Sequence, residues 1–354
     1  MAELLSIAVA LPSHTVTLED TKARIAAHFD DPAAAARYQR MAESTRIAKR
    51  HVVLPAVAAM SLRTIEERQT HYARYALELS EVSAKGALQS AGVSPESVRF
   101  VIAVSCTGYM MPSLDVHLAH RIGINPAARR VPITELGCSA AVAAVGLARE
   151  LLQGDQTGGT ALVLSTELSS LCLQTSEPSV SDVIGGLLFG DASASVVIAG
   201  KDEGRGLRVL ASRTVLWPET THHLGMHLTT TGFRLDLSRH IPRLVRQRLR
   251  TTVEEFLAEY GTSLEDVAFW AIHPGGPKLL ESIGESLDLS EAALRQTWRV
   301  WERCGNVSSA TALLILRDLL DGGLAAGALG MLIAPGPGLS CEMVLLRAPT
   351  RAAE

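Results

Sequence analysis

The sequence has few aromatic residues. Only 4% of its 354 residues are Phe, Trp or Tyr, although 47% are hydrophobic, and Ala, Leu and Val dominate. Any internal cavity is therefore expected to be lined mainly by aliphatic side chains. The composition is that of a globular protein, and the length is enough for two ordinary domains or for one large fold built from two similar halves.

Long hydrophobic runs and strong net charge are also lacking. No run is long enough to span a bilayer, so we expect no membrane association. The N-terminal MAELLSIAVALPSH lacks the basic leader and the small-residue cleavage site of a signal peptide, and it predicts a first β-strand instead. A net charge of −4 favours neither nucleic acid nor an anionic membrane as a partner.

Cysteine and histidine do not form the usual disulfide or metal motifs. The cysteines are odd in number and include no C-x-x-C pair, which argues against a disulfide framework or a zinc site and favours a reducing cytoplasm. Three histidines, His222, His223 and His227, lie close together in sequence. Their irregular spacing without nearby carboxylate or cysteine ligands predicts a solvated loop, and we expect no metal site.

One sequence pattern occurs twice. AGVSPESVRFVIAVSCTG and EYGTSLEDVAFWAIHPGG share a plan in which Gly92 matches Gly261, 169 residues later. LGCSAAVAAVGLARELL likewise resembles CGNVSSATALLILRDLL, which aligns Cys138 with Asn306 at an offset of 168, and the buried strands TALVLS and LGMLIA follow. Three segments that keep their order at nearly one offset indicate an internal duplication.

The duplication predicts an α/β fold of two related halves, residues 1–204 and 205–354. Each half has the order helix, strand, loop, helix, strand, and the near-continuous hydrophobic strands predict sheets covered by helices on both faces. A pseudo-twofold axis would let the two helix starts at Cys138 and Asn306 face each other. Residues 205–240 are predicted to be an insertion that lines the cavity, so the repeated pattern resumes near Ile241.

Three residues are candidates for catalysis. Cys138 directly precedes a helix, whose free N–H groups and dipole stabilise a thiolate, although a small buried residue is the alternative. His273 ends a buried strand, where active sites of α/β proteins gather, and a capping role is its alternative. Asn306 alone could be an N-cap. Together they supply a nucleophile and two hydrogen-bond donors that can hold an acyl thioester and stabilise an enolate oxygen.

The small residues Ser139 to Ala141 are interpreted as leaving room for a substrate beside Cys138. His273 is the natural partner of Cys138, and an ion pair between them would lower the pKa of the thiol.

Several motifs together resemble a known family. ELGCSAA, LLFGDASASVV, AIHPGGPKLL, GNVSSAT and APGPGLSCEMVLLR are similar to the chalcone-synthase-like type III polyketide synthases over about residues 40–348. HPGG and GPGLS separate this group from the ketoacyl synthases of fatty-acid initiation. The resemblance implies a thiolase-like, duplicated αβαβα layered fold with two pseudo-symmetric halves, a homodimer, and no cofactor other than coenzyme A thioesters as substrates.

The resemblance also implies the reaction. Cys138 would take a starter acyl group from acyl-CoA, and malonyl-CoA would lose CO₂ at His273 and Asn306. Repeated condensation and cyclisation would then give a pyrone, resorcinol, phloroglucinol or naphthol.

Further positions follow from the same resemblance. The implied cavity residues are Phe189, Phe233, Cys172, Cys106, Met111, Gly336 and Gly338, with Met111 reaching into the partner subunit. Lys49, Arg50 and Lys278 are implied to bind coenzyme A. Individual members of these sets have an alternative role, which is plain core packing, a tight turn or a solvated charge.

Three other functions stay open at this stage. One is a single-step condensing enzyme that uses chains bound to an acyl carrier protein. Another is a non-catalytic acyl-binding subunit, and the third is a hydrolase with a Cys-His-Asn set.

Overall fold

The computed structural model of the protein describes residues 2–174 and 179–350. The strands, in chain order, are β1 (Ala2–Ala10), β2 (His14–Thr17), β3 (Lys49–Val52), β4 (Val98–Val104), β5 (Arg129–Ile133), β6 (Thr160–Leu168), β7 (Asp191–Ala199), β8 (Leu207–Leu216), β9 (Leu224–Thr229), β10 (Gly232–Leu237), β11 (Val267–Ile272), β12 (Leu329–Gly336) and β13 (Ser340–Arg347). The α-helices are α1 (Leu18–His28), α2 (Pro32–Ser44), α3 (Ala56–Ser61), α4 (Ile65–Ala91), α5 (Leu114–Ile122), α6 (Ala140–Gly154), α7 (Val180–Leu188), α8 (Ile241–Ala258), α9 (Pro277–Leu287), α10 (Glu291–Cys304) and α11 (Ala310–Asp321).

Most strands belong to one continuous sheet, in the order β11-β12-β13-β8-β1-β7-β6-β4-β5. The two halves of the chain meet where β1 pairs antiparallel with β8, with Glu3 opposite Arg208. Outward from this junction, the first half continues as β7, β6, β4 and β5, and the second half as β13, β12 and β11. The halves therefore share one strand order, and within the described residues only β5 has no counterpart in the second half.

The repeat predicted from the sequence is present in the structure. β4 and β11 begin 169 residues apart, and so do β6 and β12. Gly92 and Gly261, which follow α4 and α8, both have a φ of +66°. This left-handed conformation ends a helix at little cost only where the residue has no Cβ.

The helices and the sheet form five layers. α4 and α5 cover the outer face of the first half of the sheet, and α8 and α9 cover the outer face of the second half. α6 and α11 lie between the halves and share one hydrophobic cluster with strands of both. This is the predicted αβαβα order. In the described part of the chain, no helix has the length and hydrophobicity needed to cross a membrane.

The segment predicted as an insertion is only partly one. Residues 207–216 form β8, which pairs with β1 and β13 in the central sheet and is the counterpart of β1 in the second half. The repeated pattern of the second half therefore begins before Ile241. The β9–β10 hairpin that follows β8 is the part that lies outside the repeat.

Two glycines of α6 test how closely this middle helix packs. A Cβ at Gly146 would lie 2.7 Å from Cβ of Ser212 on β8, whereas a Cβ at Gly154 would have nothing within 4 Å. We expect Gly146→Ala to lower the free energy of unfolding by about 1–3 kcal/mol because the helix is displaced. The matched variant Gly154→Ala should leave it unchanged or raise it by up to about 1 kcal/mol. Urea denaturation measures both, and equal stability of the two variants would contradict the packing described.

Candidate active site

Cys138 lies directly before α6, as predicted. Gly137 to Ser139 form one 3₁₀ turn that leads into the helix, and the thiol is half-buried against a large cavity. Gly137 has a φ of +55°, and a Cβ there would lie 2.5 Å from Cγ of Pro337. Glycine is therefore needed at this turn both for its backbone conformation and for the close approach of the segment after β12.

The small residues after Cys138 do not make room for substrate, so that interpretation was wrong. Ser139, Ala140 and Ala141 are fully buried, and none of them lines the cavity. Their size is set by packing, because a Cβ on Gly336 would overlap Oγ of Ser139. The predicted cavity residue Gly336 therefore contacts the turn that carries Cys138 rather than the cavity itself.

His273 and Asn306 are both held at the ends of secondary-structure elements. The backbone N–H of His273 donates to the carbonyl of Ile333 at 2.8 Å, which continues the pairing of β11 with β12 by one residue. The backbone N–H of Asn306 donates to Leu188 at 2.8 Å, and its carbonyl accepts from the N–H of Gly190 at 2.9 Å. The position of Asn306 is thus coupled to the segment that contains Phe189.

The Asn306 side chain has a defined orientation. Its Oδ1 accepts the backbone N–H of Ser308 at 2.8 Å, and its Nδ2 lies 3.5 Å from the carbonyl of Gly275. The Ser308 N–H fixes which way the amide is turned, because it donates to Oδ1. The NH₂ group of Asn306 is therefore the donor available to a substrate oxygen.

One cavity of about 1160 Å³ is lined by Cys138, His273 and Asn306 together. His273 and Asn306 are almost completely buried. The internal duplication therefore brings the three candidate residues to a common, largely water-excluded site.

Two polar residues that the sequence analysis missed lie near the candidate nucleophile Cys138. Oγ of Ser308 is 3.6 Å from Sγ of Cys138 and 3.4 Å from Sγ of Cys106. Sγ of Cys106 is in turn 3.5 Å from both carboxylate oxygens of Glu167. Glu167 is fully buried on β6, and burial raises the pKa of its carboxyl group. A carboxylate within the otherwise hydrophobic TALVLSTEL was the signal that could have revealed it.

Burial also controls the protonation of the candidate pair. It raises the pKa of the Cys138 thiol to about 11, which a hydrogen bond with Ser308 partly offsets. Burial lowers the pKa of His273 to about 4. At neutral pH the structure thus favours a neutral thiol and a neutral imidazole on the same cavity, in contrast to the predicted thiolate with a depressed pKa, because both charged forms lose their hydration. A neutral imidazole remains able to accept the thiol proton during reaction.

Four of the predicted substrate residues line the cavity, namely Cys106, Cys172, Phe189 and Phe233. Phe189 is on the segment after α7, and Phe233 is on the β9–β10 hairpin. Met111 and Gly338 do not line it. Met111 is 82% exposed, which leaves its side chain free of this chain's own cavity.

The predicted coenzyme residues occupy three different environments. Lys278 is exposed and lines the cavity, whereas Lys49 is exposed and does not line it. Arg50 lines the cavity but is buried, and its guanidinium donates to Gly186, Phe189 and Thr21. A phosphate would have to compete with these partners for Arg50.

The cavity has further cations at its exposed end. The lining arginines that the sequence analysis missed, all partly or fully exposed, are Arg24, Arg37, Arg40 and Arg239. Arg37 and Arg40 are three residues apart on α2, a spacing that places two side chains on one helix face and could have signalled a phosphate site. Together with Lys278 they give this end of the cavity a positive charge.

The histidines of the hairpin region form no metal centre in the part of the chain that the structure describes, where no group of three or more His, Cys, Asp or Glu side chains could hold a metal ion. His222 and His223 stack with ring centroids 4.1 Å apart. A carboxylate is nevertheless close, because Asp236 of β10 pairs with His227 at 2.5 Å across the hairpin.

A duplicated αβαβα fold whose cavity contains Cys, His and Asn defines the class of acyltransferases that condense acyl groups. Comparison with known proteins identifies the family within this class. Residues 1–203 match the N-terminal domain of chalcone and stilbene synthases, and residues 208–350 match the C-terminal domain. The chain therefore belongs to the chalcone and stilbene synthase family, and it is a type III polyketide synthase.

Individual relatives agree with this assignment. The chain is 36% identical over 348 residues to the 1,3,6,8-tetrahydroxynaphthalene synthase of Streptomyces peucetius subsp. caesius, covering 97% of this chain and 92% of that one. It is 30% identical over 343 residues to the phloroglucinol synthase of Pseudomonas fluorescens, covering 95% and 96%. The crystal structure of 1,3,6,8-tetrahydroxynaphthalene synthase from Streptomyces coelicolor A3(2) superposes with a TM-score of 0.94 at 30% identity, covering 99% and 100%. The thiolase-like fold is thereby confirmed.

The pKa of Cys138 predicts how fast its thiol reacts. Because only the thiolate reacts and its pKa is raised, we expect the rate of alkylation by iodoacetamide to rise about tenfold per pH unit from pH 7 towards pH 10. Mass spectrometry of the Cys138 peptide measures this rate. In the matched variant Ser308→Ala, which removes a hydrogen bond that lowers the pKa, alkylation should be slower at each pH. A rate that is already constant above pH 7 would show instead that an ion pair with His273 outweighs burial.

Proposed function

We propose that Cys138, His273 and Asn306 carry out the decarboxylative condensation of malonyl units on an acyl group bound to Cys138. The observation that supports this is their common position on one buried cavity with cations at its exposed end. Cys138 is the nucleophile, and His273 accepts its proton as the thiol attacks the acyl-CoA carbonyl. Coenzyme A then leaves as a thiolate and takes the proton that His273 accepted, which returns His273 to its neutral form.

The elongation step uses His273 and Asn306 as hydrogen-bond donors. When the malonyl carboxylate leaves as CO₂, the electron pair of the broken C–C bond moves to the thioester oxygen and forms an enolate. The Nδ2 group of Asn306 and an N–H of the His273 imidazole donate to that oxygen, and donors held in place within a buried site stabilise it without solvent reorganisation. The enolate carbon attacks the carbonyl of the acyl thioester, and the C–S bond to Cys138 breaks. The Cys138 sulfur leaves as a thiolate, and the extended chain, now a coenzyme A thioester, is transferred back to Cys138 for the next cycle as coenzyme A leaves.

Cations at the open end of the cavity are proposed to bind the phosphates of coenzyme A. Lys278 and the exposed arginines Arg37 and Arg40 line the cavity, and Arg37 also donates to the Tyr38 hydroxyl at 3.2 Å. Lys49 was also predicted to bind coenzyme A, but it does not line the cavity. We propose coenzyme A thioesters as the substrates, and no further cofactor enters the steps above.

The starter is proposed to be malonyl-CoA, and the product a polyhydroxylated naphthol or phloroglucinol. The tetrahydroxynaphthalene and phloroglucinol synthases named above support this class of product. The cavity lining supports the starter, because Phe189 and Phe233 are the only Phe, Tyr or Trp residues among the described residues that line it. Such a wall offers few rings on which an aromatic starter could stack. A homodimer is proposed as well, with the exposed Met111 at the contact between subunits.

The function is tested with purified enzyme and malonyl-CoA alone. We expect release of CO₂ and a cyclised phenolic product, detected by mass spectrometry, and loss of chain extension in Cys138→Ala. The matched control Cys341→Ala, at a buried cysteine outside the cavity, should retain activity. Extension by Cys138→Ala would show that another group is the nucleophile.

A panel of starters distinguishes the remaining alternatives. Product that forms only when another acyl-CoA is added would disprove the malonyl starter but not the condensing activity. A requirement for acyl carrier protein, or thioester hydrolysis without extension, would favour a single-step condensing enzyme or a hydrolase.

Coenzyme binding gives a separate prediction. Arg40→Ala should raise the KM for malonyl-CoA by about tenfold with little change in kcat, because a phosphate contact far from the reacting carbon is equal in ground and transition states. Steady-state kinetics measures both constants, and Arg295→Ala, an exposed arginine on α10, is the control. An unchanged KM would exclude Arg40 from the coenzyme site.

A further inference from the structure

Two buried arginines lie at the walls of the cavity, one of which, Arg50, lines it, and their guanidinium groups donate to protein carbonyls. Arg50 is 7% exposed and Arg68 is 3% exposed. Neither takes part in an ion pair within the described ranges 2–174 and 179–350, so no salt bridge explains why a charge is retained there. Asp191 attracts the charge of Arg50, and Glu67 attracts that of Arg68, from beyond ion-pair distance. Burial of an arginine that no carboxylate contacts is costly, and such an arginine is retained where a planar fork of donors is needed.

Arg50 connects the two chain segments that meet at Asn306. Its Nη1 donates to the carbonyls of Gly186 and Phe189, the latter at 3.1 Å, and its Nη2 donates to the hydroxyl of Thr21 at 3.2 Å. The backbone next to Phe189 is paired with Asn306 on both sides. Arg50 therefore fixes the carbonyl of the residue that pairs with Asn306.

The hydrocarbon part of Arg50 also contacts both segments. A Cβ on Gly190 would lie 3.4 Å from Cβ of Arg50, and a Cβ on Gly305 would lie 3.0 Å from its Cγ. Gly190 and Gly305 are the neighbours of Phe189 and Asn306 in sequence. The side chain is thus packed between the two segments as well as hydrogen-bonded to one of them.

Arg68 binds carbonyls of a different part of the wall. Its guanidinium donates to the carbonyls of Thr231 at 2.6 Å, Leu171 at 2.7 Å and Leu62 at 3.0 Å. Thr231 is in the turn of the β9–β10 hairpin, two residues before Phe233, and Leu171 precedes Cys172. Arg68 therefore joins the two wall segments that carry Phe233 and Cys172, and none of these three bonds reaches the Asn306 region.

We infer that Arg50 and Arg68 are positioning residues with separate tasks in the reaction. Arg50 holds Asn306 and Phe189 in the geometry needed for decarboxylation, whereas Arg68 holds the wall with Phe233 and Cys172 that shapes the growing chain. For Arg50 this rests on the proposed role of Asn306. It also assigns to Arg50 a task other than binding coenzyme phosphates.

The variants Arg50→Lys and Arg68→Lys test the two tasks separately. Each keeps the positive charge but loses the planar set of N–H donors that a guanidinium provides. We expect Arg50→Lys to lower kcat for malonyl-CoA decarboxylation by about tenfold to a hundredfold, with KM changed less than about twofold, because the donor to the enolate is displaced. Arg68→Lys should keep decarboxylation within about twofold and change the distribution of product chain lengths. Arg295→Lys, at the exposed α10 position, should change neither quantity.

The opposite pattern would overturn the inference. If Arg50→Lys raises KM by a larger factor than it lowers kcat, Arg50 is a phosphate ligand. If Arg50→Lys has the kinetics of the wild-type enzyme, Arg50 has no role in the reaction. For Arg68→Lys, an unchanged product distribution would exclude the wall-shaping task. The variant Asn306→Ala is measured in parallel. Wild-type decarboxylation by Asn306→Ala would disprove the proposed role of Asn306, whereas an inactive Asn306→Ala beside a normal Arg50→Lys would disprove only the positioning.

If a lysine variant does not fold, two milder variants test the same inference. Thr21→Val removes one partner of Arg50, and Gln174→Met removes the donor to the Phe233 carbonyl at 2.9 Å and the acceptor of the Thr231 hydroxyl at 2.8 Å. At unchanged melting temperature, Thr21→Val should lower kcat in the same direction as Arg50→Lys. Gln174→Met should shift product length. Absence of these effects in the folded variants would contradict the inference.

Discussion

The pairing of β1 with β8 is the constraint on which the active site depends. It joins the two halves into one sheet and places α6 and α11 together in the middle layer, so that two helix starts from distant parts of the chain open onto one cavity. Ser308 consequently reaches within 3.6 Å of Cys138, although they are 170 residues apart in sequence. A one-residue slip of this pairing would turn inward-facing side chains to the other face of the sheet and separate the two starts.

Burial is the second constraint, and it acts on chemistry as well as on stability. A site buried between the two halves of a sheet has a low local dielectric, which makes each donor stronger and each isolated charge more costly. Glu167 is satisfied by protein partners, namely Cys106, Thr107 and Ser309, whereas the buried Nδ1 of His273 has no hydrogen-bond partner among the described residues. Charge is left exposed at the end of the cavity where Lys278 and the arginines lie.

The sequence was most informative where the duplication repeats a structural requirement. The matched glycines Gly92 and Gly261, and the aligned Cys138 and Asn306, predicted the two halves and the meeting of their helix starts, because both copies must satisfy the same backbone geometry. Phe189 and Phe233 were placed by resemblance to the family. The catalytic roles themselves stay proposals.

What the sequence did not predict concerns three-dimensional neighbours. β8 was assigned to an insertion because no second copy of its pattern was recognised, and only its pairing with β1 and β13 shows its place. Ser139 to Ala141 were interpreted by size alone, while the close approach of Gly336 is a tertiary contact. Arg50 illustrates the same limit, since its charge suggested a phosphate and its partners are carbonyls of segments more than 130 residues away.

The protonated state of Cys138 has a consequence for the lifetime of the enzyme. Peroxides and other cellular oxidants attack thiolates far faster than thiols, and a catalytic cysteine that is permanently ionised is lost to sulfenic and higher acids. A nucleophile that stays neutral until an acyl thioester arrives is spared during idle periods. The burial that raises the pKa of the Cys138 thiol is therefore expected to slow its oxidation between rounds of synthesis.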